Sequence, residues 1–217
     1  MLSTDPTTSA GLVIREVRTG ARNGVPTKIA IAQRDYPTDR ADLWEALTDI
    51  ERIPRWFLPI SGELQVGGRY QFEGNAGGVI EQCDAPQRLA MTWERGAQMS
   101  WLTIELTATD EGTLLELRHE APVDPELWSQ YGPGAVGVGW DLALLGLALH
   151  LSSGTQVDPA ETLTFPATAE GRAFIQATAL AWAEAAIGAG DDPAAAHMAA
   201  TQTIGFYTIA PEDDPQS

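Results

Sequence analysis

The sequence predicts an α+β fold in which one curved antiparallel sheet closes over a long buried helix. Three observations carry that reading. Between residues 64 and 120, five short runs rich in β-branched and aromatic residues alternate with period two, and turn residues separate them. The run VGVGWDLALLGLALHL (136–151) is apolar on nearly every side, so a helix there needs cover on more than one face. No strand alternates with a helix, as a parallel βαβ architecture would require.

The elements follow in order. Residues 1–11 are polar and are expected to be disordered. LVIREVRT (12–19) and PTKIAIAQRDY (26–36) read as strands, and Asn23-Gly24 between them is a hairpin turn. PTDRADLWEALTDI follows, with Thr38 or Asp39 as cap and Leu43, Trp44, Leu47 and Ile50 at helical spacing. Pro54 ends that helix, and RWFLP (55–59) makes a short turn of helix or a loop. GGRYQFE, GGVIEQCD, QRLAMTWE, SWLTIELTATD and GTLLELRHE then form a meander. DPELWSQY, helical or looped, leads into the apolar helix. The stretch 151–162 is a connector, and 168–188 is an alanine-rich helix. A last helix follows, with Asp192 as cap and Pro193 at its first position. APEDDPQS is an acidic tail expected to be disordered.

Composition excludes several classes of function. A chain of 217 residues, 44% hydrophobic and 20% charged, suits one globular domain with an appendage. Its formal net charge is −17, with Lys28 the only lysine, so nucleic acid and anionic membrane surfaces are not expected partners. The lone Cys83 excludes an internal disulfide and a multi-cysteine zinc site, and is expected to be an inert buried thiol. No secretory signal is visible, and a cytoplasmic location is expected. Three scattered histidines show no ligand spacing, so neither metal nor cofactor is expected.

Gly132, Gly134 and Gly137 spell G-x-G-x-x-G. A dinucleotide fingerprint needs an entering strand and a βαβ unit, and neither is present; Pro133 also removes one phosphate-binding N–H. As a membrane span the apolar run is too short, and Asp141 and His150 interrupt it. A loop feeding a buried helix is what remains.

Taken as a set, WEALTDIERIPRWF, LQVGGRYQFEG, GGVIEQC, RLAMTWE and GTLLELRHE resemble the bacterial branch of the SRPBCC (START-like) superfamily named after the activator of heat-shock protein 90 ATPase. The resemblance covers about residues 28–151. It implies a helix-grip fold with a cavity between sheet and long helix. Residues 12–155 would form that domain, 160–208 a helical extension packed on it, and 209–217 the acidic tail.

Alternation along the strands phases the inward faces. Leu115, Leu117 and His119 share one; Leu89, Met91 and Trp93 another; Val79, Glu81 and Cys83 a third; Tyr70 and Phe72 a fourth. His150 follows Trp140, Leu144 and Leu147 along the apolar helix. The expected cavity lining is therefore Trp56, Tyr70, Phe72, Glu81, Trp93, Leu102, Leu117, His119, Trp140, Leu144 and Leu147. The leading expectation is non-catalytic binding of a small apolar or amphipathic molecule in that cavity. An alternative is a cyclase, dehydratase or hydrolase in which Glu81 works with His119 or His150; a salt bridge from Glu81 to Arg69, Arg88 or Arg118 would explain the carboxylate equally well. A third reading, chaperone cofactor, follows from the family name. The eukaryotic activator has a further N-terminal domain that the first 27 residues cannot replace. The chain is expected to be a monomer or a homodimer.

Overall fold

In the computed structural model, which describes residues 6–208, an eight-stranded antiparallel sheet runs in the order β1-β2-β8-β7-β6-β5-β4-β3. β1 (Ile14–Arg22) and β2 (Val25–Tyr36) form the expected hairpin; Asn23 and Gly24 both have positive φ, as a tight two-residue turn requires. Crossing to the far edge, α2 (Arg40–Thr48) is capped by the Asp39 side chain on Asp42 N–H, and a 3₁₀ turn (Ile53–Arg55) follows. β3 (Ile60–Gly62) was not legible in the sequence. β4 (Arg69–Phe72), β5 (Gly77–Asp84), β6 (Arg88–Arg95), β7 (Gln98–Thr109) and β8 (Gly112–Pro122) then return across the sheet.

The helical layer has α3 (Pro125–Tyr131), α4 (Gly134–Ser153), α5 (Pro159–Thr164), α6 (Ala169–Gly188) and α7 (Pro193–Thr208). α4 lies on β2 with one side and under α6 with another; α7 packs mainly on α6 and α3. α4 is, contrary to the length argument from sequence, long enough to cross a membrane. Most of it is buried in the protein, and Asp141 at its middle holds an ion pair, so it is a core helix.

The glycines ahead of α4 serve packing. Gly132 ends α3 with a positive φ. A Cβ on Gly134 would meet the Thr203 side chain at 2.8 Å, and one on Gly137 would meet the Trp182 ring at 2.3 Å. These small residues let α4 approach α6 and α7 closely.

Pro6–Gly11, expected to be disordered, form a short helix, α1, with Ser9 and Ala10 buried and α6 as neighbour. Arg15 links this segment to the core: it donates to Ala10 O and Val13 O on one side and pairs with Asp141 of α4 on the other. Residues 1–5 and the acidic tail lie outside the described residues.

Candidate functional site: the concave face of the sheet

The inward faces of β6, β7 and β8 are phased as the alternation predicts. Leu115, Leu117 and His119, Leu102, and Leu89 and Met91 are all buried beneath the helices. β5 departs from it. The pairing Ile80↔Met91 gives way to Gln82↔Ala90, a bulge in which Glu81 is the extra residue. One inserted residue shifts the phase: Ile80 is buried, Cys83 pairs with Leu89, and Glu81 is exposed. Glu81 is therefore not an inward acid, and the arginines offered to it pair elsewhere, Arg69 with Glu94, Arg88 and Arg118 with Glu105. Cys83, expected to be buried, is exposed.

Between the sheet and α4, where the cavity was expected, side chains pack against one another. Aromatic rings run through this layer in contact: Trp56 with Phe57 (5.6 Å between centroids), Phe57 with Phe72 (5.0 Å), Phe72 with Trp93 (5.6 Å), and Trp93 with Trp140 (4.9 Å). His119 ends the row. The Trp140 indole N–H donates to His119 Nδ1 (2.9 Å), which leaves the proton on Nε2 to be donated to Ser100 Oγ (2.7 Å). Ser100 in turn donates to Trp93 O (3.0 Å). Every position on the imidazole is used. Burial lowers its pKa from 6.5 to about 4, so the ring is neutral at physiological pH.

His150 is far from this group. Ten residues beyond Trp140 on α4, about 15 Å along the helix axis, it donates from Nδ1 to Thr155 O (2.7 Å) and accepts from Arg52 Nε (3.3 Å). Arg52 also pairs with Asp42 at 2.8 Å, so His150 clips the end of α4 to α2. Glu81, His119 and His150 do not converge, and no acid–base pair is assembled from them.

A pocket of about 60 Å³ sits between the far half of the sheet and the α2–3₁₀ segment, lined by Leu47, Thr48, Ile53, Ile60, Leu64, Tyr70, Phe72, Ile80, Cys83, Leu89 and Met91. Of the expected lining only Tyr70 and Phe72 belong to it. Trp56, Trp93, Leu102, Leu117, Trp140, Leu144 and Leu147 instead belong to the core or its edge, and His119 is buried beside them. The few polar groups around the pocket are engaged: Tyr70 Oη donates to Thr92 O (2.6 Å) and Thr48 Oγ to Trp44 O (2.7 Å). Burial pushes the Tyr70 phenol up, so it stays a neutral donor. The lining is mainly apolar, and Cys83 within it is exposed.

One polar cluster was missed in the sequence. Asp141 on α4, 1% exposed, takes Arg15 in a two-pronged pair (2.8 and 3.1 Å) and the Trp182 indole N–H (2.8 Å). Arg34, 2% exposed, lies over the Tyr36 ring at 5.2 Å, and Tyr36 Oη donates to Leu144 O. Burial raises the Asp141 pKa, and the Arg15 guanidinium opposes it. The signal was available: a carboxylate inside an apolar helix is costly unless paired, and Arg15 and Arg34 alternate in phase with Val13, Val17, Ala32 and Tyr36. Among the described residues no group of three His, Cys, Asp or Glu side chains is placed to hold a metal ion.

A concave antiparallel sheet gripping a long helix, with an apolar pocket against its face, defines a helix-grip domain of the SRPBCC type. The family described as Activator of Hsp90 ATPase homolog 1-like protein matches residues 37–152, more than half of the chain. The chain belongs to that family. Among solved structures it is similar to CalU16 from Micromonospora echinospora. The solution structure is 27% identical with a TM-score of 0.65, covering 82% of this chain and 97% of that one. The crystal structure of CalU16 is 31% identical with a TM-score of 0.58, covering 65% and 87%. A more distant likeness, of fold alone, is to DynU16, a protein from the dynemicin biosynthetic locus (22% identity, TM-score 0.53, 59% and 48% covered). A search of curated proteins returns no match.

Proposed function

We propose that this protein is a non-catalytic binder of a slim amphipathic molecule, whose apolar end enters the pocket beneath α2 and the 3₁₀ turn. The observation that carries the reading is the pocket's chemistry. Its walls are aliphatic and aromatic, and the hydroxyls nearby are satisfied within the protein. Such a site recognises shape and hydrocarbon, with the polar end of the ligand left in water at the Cys83 mouth. At about 60 Å³ it takes a chain end and is too small for a fused ring system. The locked, neutral His119 and the exposed Glu81 favour binding over proton transfer.

A series of straight-chain alcohols from 1-butanol to 1-decanol, titrated by calorimetry, tests this. Each methylene buried contributes about 0.8 kcal/mol, so affinity should rise about fourfold per carbon and then level off once the pocket is full. Met91→Trp, which fills the pocket, should abolish the trend. A rise without a plateau, or one unchanged in Met91→Trp, would defeat the proposal.

A further inference from the structure

A second, larger cleft lies where the C-terminal helices meet the first strands. It measures about 280 Å³ and is lined from β2, α3, the end of α6 and the start of α7. Most of it is built from residues outside the family-matched stretch 37–152. We propose that it is a binding site for a small organic ammonium ion carrying an apolar body. This does not depend on the alkyl-chain reading above.

The floor is a patch of small side chains, Ala186 from α6 with Ala196 and Ala199 from α7, which leaves depth for an apolar group. The wall is Trp128. Its indole N–H donates to Asp191 Oδ2 at 2.7 Å, so ring and carboxylate are held in one fixed corner. A ring face beside a carboxylate is the chemistry that recognises an ammonium group. Here the chain's own single lysine occupies the corner: Lys28 Nζ lies 4.5 Å from the Trp128 centroid and 3.4 Å from Asp191 Oδ1. A charge-assisted bond is normally about 2.7–2.9 Å, so Lys28 is held loosely.

Charge then selects the ligand. Lys28 and Asp191 balance each other, and Asp192 is the carboxylate left over. Asp192 Oδ1 caps α7 through Ala195 N–H (2.9 Å), and no described cation pairs with this side chain. With Trp128, two carboxylates and one displaceable ammonium, the cleft has the complement of a cation and repels an anion, in a chain whose net charge is −17.

The test uses the full chain with 2-phenylethylamine, its neutral analogue 2-phenylethanol and the anion 3-phenylpropanoate, followed by calorimetry and by NMR. The amine should bind best and the anion not at all. Lys28→Met should tighten amine binding severalfold, because it clears both ring and carboxylate. Asp192→Asn keeps an oxygen for the helix cap but removes the charge, and should weaken the amine about fivefold, the size of one partly exposed ion pair. Ala196→Leu fills the floor and should abolish binding; its melting curve shows whether it folds, and Lys28→Met decides the matter if it does not. No amine binding at millimolar concentration, preference for the anion, weaker amine binding in Lys28→Met, or undiminished binding in folded Ala196→Leu would each overturn the proposal.

Discussion

Replacing Asp141 with Asn keeps the side chain's shape and an oxygen for the Trp182 indole, but removes the charge that Arg15 faces. The Arg15 side chain is 5% exposed and that of Asp141 is fully buried, so water cannot take the carboxylate's place. Removing one partner of such a pair typically costs about 3–5 kcal/mol, because the other charge stays buried and unmatched. Arg15 retains the carbonyls of Ala10 and Val13 as acceptors, which puts the expected loss at the lower end, about 3 kcal/mol. A chain of this size loses roughly 2–4 °C of Tm per kcal/mol, so Asp141→Asn should melt roughly 6–12 °C below the parent. Scanning calorimetry with urea unfolding followed by tryptophan fluorescence measures it. The double variant Arg15→Met/Asp141→Leu should lose much less than the two single losses added together, since it leaves no orphan charge. A melting point for Asp141→Asn within about 2 °C of the parent, or strictly additive losses, would refute the argument that this pair joins α1, α4 and α6.

Three further outcomes follow from the geometry. His119 is neutral in the fold with a pKa lowered to about 4, against 6.5 when unfolded. The unfolded chain thus binds the proton first, and stability present above pH 6.5 is lost as pH falls towards 4, by about 3 kcal/mol; in urea melts across that range, His119→Gln should show a correspondingly shallower fall. Gly137→Ala places a Cβ against the Trp182 ring at 2.3 Å and should cost about 1–3 kcal/mol, whereas Gly188→Ala, with nothing within 4 Å, should be neutral or slightly stabilising. Deleting residues 160–217 removes Phe174, Ile175 and Trp182 from the α4 side of the core, exposing Leu145 and Leu149. At about 25 cal/mol per Å² of apolar surface the loss is several kcal/mol, and the fragment should lack a cooperative melt by calorimetry.

What could be read ahead of the structure follows the range of the interactions. Strands β4 to β8 and helices α2, α4, α6 and α7 have strong local patterns, alternation or caps such as Asp39 and Asp192, and their positions agree within a few residues. β3 has three residues and α1 six, too short for periodicity to show; β3 is held by the neighbouring strand β4, and α1 by the distant α6. The site was less legible for two reasons. Cys83 does lie opposite the inward Leu89, but a bulge at Glu81, which nothing in GGVIEQCD marks, breaks the alternation counted back from it, so Val79 and Glu81 were placed inward where Ile80 is the buried residue. Tyr70, Phe72, Trp93 and Trp140 lie ring against ring, but alternation gives direction without volume: Trp93 and Trp140 take up space they were expected to line. The remaining pocket is a product of α2, the 3₁₀ turn and four strands together.

The central claim, that a ligand's apolar end enters beneath α2 rather than along α4, is tested most directly by methyl-labelled NMR during titration with 1-octanol. Saturable shifts and intermolecular NOEs at the methyls of Ile53, Ile80, Leu89 and Met91 are expected, with those of Leu144 and Leu147 unmoved. NOEs to Leu144 and Leu147, or no saturable shift at the pocket methyls, would contradict it.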